Sequence, residues 1–192
     1  MKGTQSPPTK RQLMHTRSIK LQGFRRSDGL LDIEAQLIDV RAYDSTAVEK
    51  GTIKAGGEIH NIFVCVTADD KLIVHDVTSS MNTHPFHNCP GAQSSLTQLI
   101  GASLGPGWRR ILDTQLGREN GCAHIREMLL QVATTAYQTI PVWYAQQNGD
   151  VVPVINGNPP QHLGQCHAWS LSGPIVARLY PQFSVTPKSI SD

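Results

Sequence analysis

The chain of 192 residues contains no run of about 18 apolar residues, so no segment of it reads as a membrane span. Its first residues, Met1 to Arg11, lack the apolar stretch of a secretory signal, and the reading is a disordered leader over 1–12 followed by one domain over 13–192. No G-x-G-x-x-G follows a strand pattern, which removes the common dinucleotide fingerprint and turns attention away from redox chemistry. No C-x-x-C or H-x-x-x-H pair occurs either, so a metal site would have to be assembled from residues far apart in sequence. Charged residues make up only 17% of the chain, with a net charge of +2 and scattered Lys and Arg. That is no basic stripe, and nucleic acid is not an expected partner. The four cysteines, at 65, 89, 122 and 166, lack the spacing of a small secreted disulfide framework. Without a signal they are expected to be reduced thiols in the cytoplasm, free to be ligands, nucleophiles or core residues.

What is present is patterned for an α+β fold. Ile19 and Leu21 alternate with polar residues in a first strand, and Gly23 to Leu30 is a turn with Asp28-Gly29 at its tip. Leu31, Ile33, Ala35 and Leu37 then mark a half-buried strand of period two. Asp44 to Gly51 reads as a polar loop. Glu58 to Thr67 is the most apolar strand, turning at Ala68-Asp69-Asp70 and returning over Lys71 to Thr78. Pro90 to Ser103 has a helical stripe with Pro near its first turn, and Trp108 to Leu116 reads as a short helix. Residues 122–140 give the clearest helix, on Ile125, Met128, Leu129, Val132, Ala136 and Ile140, with Pro141 expected to end it. His162 to Ser170 and Ile175 to Tyr180, about Ser172-Gly173-Pro174, suggest a closing hairpin. The expected architecture is an antiparallel sheet packed against one long helix and shorter helices.

Four polar punctuations carry the chemistry. Strict alternation puts Glu58 and His60 on one strand face, as a ligand pair or a base with its orienting partner; solvated strand-end residues are the plain alternative. Cys89 precedes a proline at a helix start, and Cys122 sits where the long helix begins, two residues before His124. Unpaired N–H groups at a helix start favour a thiolate, although core packing explains many free cysteines. Alternation turns Cys65 away from Glu58 and His60 and toward the core. Arg25 and Arg26, beside Asp28, could form a carboxylate- or phosphate-binding arm, or simply a soluble turn. Trp108, Trp143 and Tyr144 could wall an apolar pocket.

The ordered set G-F-R-R-S-D-G-L-L-D-I-E (Gly23 to Glu34), G-E-I-H (Gly57 to His60), N-C-P (Asn88 to Pro90), G-C-A-H (Gly121 to His124) and Cys166 resembles a bacterial family catalogued as a domain of unknown function. Membership is associated with bacteria that degrade aromatic compounds, which implies small-molecule catabolism. The order of Glu58, Cys89 and Cys122 is also similar to that in iron–sulfur scaffold proteins of the NifU type, with no counterpart near Gly56 for the scaffold's first cysteine.

Two classes of function follow. The first is an enzyme of lyase or hydrolase type acting on a small, aromatic or other, substrate. Zinc or iron would be held among Glu58, His60, Cys89, Cys122 and His124, with Cys166 assisting, His60 or Glu58 as base, and Arg25 or Arg26 as anchor. A metal-free version uses Cys122 or Cys89 as nucleophile with His60 or His124 as base. The second is a zinc-stabilised or cluster-carrying scaffold without catalysis, and a homo-oligomer is compatible with either.

Overall fold

The computed structural model describes residues 9–185 except 148, 150, 151, 153, 155 and 156, and only the backbone at 141 and 144. The leader expected over 1–12 lies largely outside the described residues, as does the side chain of Tyr144. Four long strands form one antiparallel sheet: β1 (His15–Arg25), β2 (Leu31–Arg41), β5 (Glu58–Ala68) and β6 (Val74–Thr83), side by side in the order β1-β2-β5-β6. Between β2 and β5 the expected polar loop contains a small hairpin of its own, β3 (Ser45–Ala47) with β4 (Gly51–Ile53). The β1–β2 turn forms where Asp28-Gly29 signalled it. Gly29 takes φ +89°, and the Asp28 carboxylate accepts the Leu30 N–H at 3.2 Å.

Period-two alternation decides which face is buried. Ile33, Ala35 and Leu37 from β2 and Ile62, Val64 and Val66 from β5 all point inward and are at most 1% exposed. Against them lies α2 (Ala123–Gln147), whose Ile125, Met128, Leu129, Val132 and Ala136 recur at helical spacing and are equally buried. The short helix α1 (Trp108–Gln115) docks on α2 through Trp108, whose indole N–H donates to the Leu129 carbonyl at 2.7 Å. Among the described residues no helix is long and apolar enough to cross a membrane.

Three local expectations are corrected. The helix over 122–140 does not stop at Pro141 but runs on to Gln147; a proline removes one N–H from the ladder without having to end the helix. The stretch after Cys89-Pro90 is a 3-10 helix, Cys89–Leu99, not an α-helix. The closing hairpin is absent among the described residues: 161–169 is a series of turns, and Pro174 opens α3 (Pro174–Leu179) as its first residue, where its fixed φ suits a helix. This last segment has its own small core of Leu163, Val176 and Tyr180, partly covered by Trp169. It joins α2 through a hydrogen bond between the Tyr137 hydroxyl and His162 Nδ1.

Candidate functional site

Along β2 the inward phase runs Leu31, Ile33, Ala35, Leu37 and then Asp39, so a carboxylate occupies a position that the pattern reserves for an apolar side chain. Asp39 is 1% exposed. A buried carboxylate needs compensating donors, and here they come from the two strands that flank β2, β1 and β5. Arg17, directly opposite on β1, donates from Nε to Oδ1 and from Nη2 to Oδ2, both at 2.8 Å. His15 Nε2 lies 3.1 Å from Oδ1, and His60 Nδ1, opposite on β5, lies 2.9 Å from Oδ2. The remaining Arg17 nitrogen donates to Glu127 on α2 at 2.8 Å, so one guanidinium ties β1 to both β2 and α2.

His124, in the first turn of α2, completes the group. Its ring stands 4.1 Å from that of His60, and its Nε2 is 3.8 Å from Asp39 Oδ2. One ligand atom each from Asp39, His60 and His124 lies within 4.8 Å of the other two. The carboxylate is buried, while His60 and His124 keep 17% and 25% of their side chains exposed, so the cluster opens to solvent on the imidazole side.

Burial by itself would raise the Asp39 carboxyl. The Arg17 hydrogen bonds and charge, with hydrogen bonds from His15 and His60, outweigh it and hold the group at about 2. Burial lowers both His60 and His124 below the ordinary 6.5; Asp39 opposes this, and the neighbouring charge of Arg17 adds to it. At neutral pH the cluster is therefore one ionised carboxylate with two neutral imidazoles.

The residues singled out from the sequence divide on this geometry. His60 and His124 meet. Cys122 stands just before the first residue of α2 with its sulfur 3.7 Å from His124 Nδ1, beside the cluster but not in the three-residue group. Glu58 does not join His60. Val40 pairs with Glu58 and Asp39 with His60, which makes Ile59 an extra residue and breaks the strict alternation. The Glu58 carboxylate instead accepts from Asn61 Nδ2 at 2.9 Å and from Thr83 Oγ1 at 3.3 Å, and Asn61 in turn receives Gln36 on the outer face of the sheet. Cys89 lies at the start of the 3-10 helix in no three-residue ligand group among the described residues, and Cys166 is exposed in the 161–169 turns. Cys65 is only half-buried, its thiol pushed up to about 11 by desolvation and by the charges of Asp32, Glu34 and Asp76.

Arg25 and Arg26 are at the wrong end of the sheet to anchor anything held by His60. Arg25 pairs with Leu31, eight residues from Asp39 along β2, a separation of about 26 Å at strand rise. Arg26 is occupied by Asp28 and Asp32 at 2.7 and 3.3 Å. The residues that sequence reasoning missed are Asp39, Arg17 and His15. Asp39 and Arg17 had a usable signal, since each is a charge in phase with an inward apolar row, Arg17 with Ile19 and Leu21.

A family described as a protein of unknown function (DUF2889) matches residues 15–138, more than half of the chain. The chain belongs to that family. The matched span runs from the first residue of β1 into α2, and so includes His15, Arg17, Asp39, His60 and His124 but not the segment that packs around His162. No curated protein and no solved structure matches the chain.

Proposed function

We propose that the Asp39, His60 and His124 cluster is a zinc or iron centre of an enzyme that performs lyase or hydrolase chemistry on a small molecule. The observation that carries this reading is the convergence of three deprotonated ligand groups from β2, β5 and α2 at a site open on one side. Two donors bound to one ion at about 2.1 Å with tetrahedral angles stand about 3.4 Å apart. The 2.9 Å from His60 to Asp39 and the 3.8 Å from His124 to Asp39 bracket that spacing. Zinc and non-haem iron both accept a pair of imidazoles with one carboxylate, leaving positions for substrate.

A divalent ion there would supply Lewis acidity toward a substrate oxygen. The chain supplies the rest. Arg17 holds Asp39 ionised and in place through two hydrogen bonds, and Glu127 steadies Arg17. His15, 45% exposed and 3.1 Å from the other Asp39 oxygen, holds that oxygen at the solvent edge of the cluster. Three ligands with an open side favour catalysis over a closed structural site, which would use four protein ligands. Aromatic catabolism is a context consistent with this reading.

A metal-free reading has one observation in its favour, the 3.7 Å approach of Cys122 Sγ to His124 Nδ1, with His124 Nε2 facing Asp39. Cys122 would then be the nucleophile and His124 its base. The two separate in one experiment. The protein, purified without chelator, is incubated with a bacterial metabolite extract, and consumption of small molecules is followed by mass spectrometry. Turnover that disappears in His60→Asn and after chelation, but survives Cys122→Ala, supports the metal-centred enzyme. Turnover lost in Cys122→Ala and indifferent to chelation supports the thiol reading. Chelation that unfolds the chain would instead point to the scaffold alternative.

A further inference from the structure

At the opposite end of the sheet from Asp39, α2 descends onto β1 so closely that a Cβ on Gly23 would lie 1.9 Å from Thr139 Oγ1. Beyond that contact α2 continues past the strands, and a groove of about 220 Å³ opens beneath its last turns. The floor is apolar, made by Leu31 and Ile140, each less than 5% exposed. Trp143 forms a wall, with the Arg25 guanidinium 4.6 Å from its ring centroid, and Asp70 from the β5–β6 turn borders the same space. Gly29 leaves its side of the groove open, with nothing within 4 Å of where a Cβ would stand.

The charges at this groove are uncommitted, and their neighbours in sequence are not. Arg26 is taken by Asp28 and Asp32, while Arg25 has no ion-pair partner among the described residues. Asp69 holds its turn by accepting the Lys71 and Ile73 N–H groups at 2.9 Å each and faces His75 at 3.0 Å, while Asp70 is exposed and likewise unpaired among the described residues. A groove with an apolar floor, a stacked guanidinium and a free carboxylate complements a ligand that carries both charges and an apolar body. The volume falls below that of drug-sized or coenzyme pockets, which start near 300 Å³.

We infer that this groove is a second binding site, separate from the Asp39 cluster, for a small zwitterion of the apolar α-amino-acid class, with the carboxylate on Arg25, the ammonium on Asp70 and the side chain over Leu31 and Ile140. The inference does not rest on the metal-centred reading, since it uses none of the same residues.

The test is a titration of the full chain, followed in amide and indole N–H spectra at Gly23, Gly29 and Trp143, with L-leucine, leucinamide and 4-methylpentanoate as probes. Leucinamide lacks the carboxylate and 4-methylpentanoate lacks the ammonium. L-Leucine is expected to give saturable shifts confined to the groove at millimolar concentration or below. The two truncated probes should bind at least about tenfold more weakly, a loss on the order of 1.4 kcal/mol. Arg25→Gln should remove the leucine response, and Asp70→Asn should reduce leucine to the level of 4-methylpentanoate. Both side chains are exposed, so an unchanged spectrum elsewhere will show that each variant folds. Absence of saturable shifts up to about 20 mM leucine, well above the millimolar range, would overturn the assignment. So would equal binding of all three probes, or a leucine response that survives Arg25→Gln.

Discussion

Arg17 and Arg25 lie on the same inward phase of the same strand and have opposite fates. Arg17 faces a buried carboxylate directly across the strand pair and spends its donors on Asp39 and Glu127. Arg25 faces Leu31, has no ion-pair partner among the described residues, and lies over the Trp143 ring at the mouth of an apolar groove. The difference teaches that a charge at an inward position is resolved by its cross-strand neighbour. With a carboxylate opposite, it becomes part of a rigid network; with an aliphatic side chain opposite, it moves to the rim and stays available.

The sharpest way to break this comparison is at Asp39. Asp39→Asn strips the charge from a carboxylate that is 1% exposed and leaves the Arg17 guanidinium with only the half-exposed Glu127 as counterion, at an expected cost of roughly 2–4 kcal/mol in urea unfolding. A loss below about 0.5 kcal/mol, the size of an ordinary surface change, would mean the network contributes little to the fold.

Acid should weaken the Asp39 cluster in two stages. The Asp39 carboxyl sits at about 2 in the folded chain against an ordinary 3.8, so its contribution is whole above pH 4 and lost as pH falls toward 2, about 2 kcal/mol in all. His60 and His124 are lowered below 6.5, so the unfolded chain takes up their protons first and stability starts to decline as pH drops through 6.5. Both effects run in the same direction. Unfolding curves across pH 7 to 2.5 should show the decline, and its part below pH 4 should flatten in Asp39→Asn.

Near the Arg25 end, the packing between β1 and α2 is the sensitive feature. Gly23→Ala forces a methyl into Thr139 and should destabilise by roughly 1–3 kcal/mol, partly recovered when Thr139→Ala is added. Additive losses in the double variant would show that the close approach is not the cause. The smallest effect is expected at Arg26→Gln, whose exposed ion pairs with Asp28 and Asp32 should leave the unfolding midpoint unchanged within error.

Much of the fold was legible because its signals were local. The Asp28-Gly29 turn, the alternation of β2 and the stripe from Ile125 to Ala136 each follow from residues within one element. Pro141 misled because a helix with a well-buried face can absorb one missing hydrogen bond, and the 172–174 turn misled because proline opens helices as readily as it closes loops. The site was half legible. His60 and His124 stood out as chemistry-bearing residues, but their partner Asp39 belonged to a strand that looked purely structural, and only its inward phase gave it away. Glu58 was lost to a single bulge residue, which no periodicity argument can anticipate. Cys89 was favoured by an argument from helix starts that says nothing about where the helix lies relative to the sheet.

The central claim, that Asp39, His60 and His124 form a metal centre, is most directly tested by elemental analysis of the full chain purified without chelator, alongside Asp39→Asn, His60→Asn and His124→Asn. The account predicts close to one zinc or iron per wild-type chain, and a sharp loss in all three variants while each still folds. Wild-type protein that carries no metal and fails to take up added zinc or iron, or metal retained in all three variants, would contradict it.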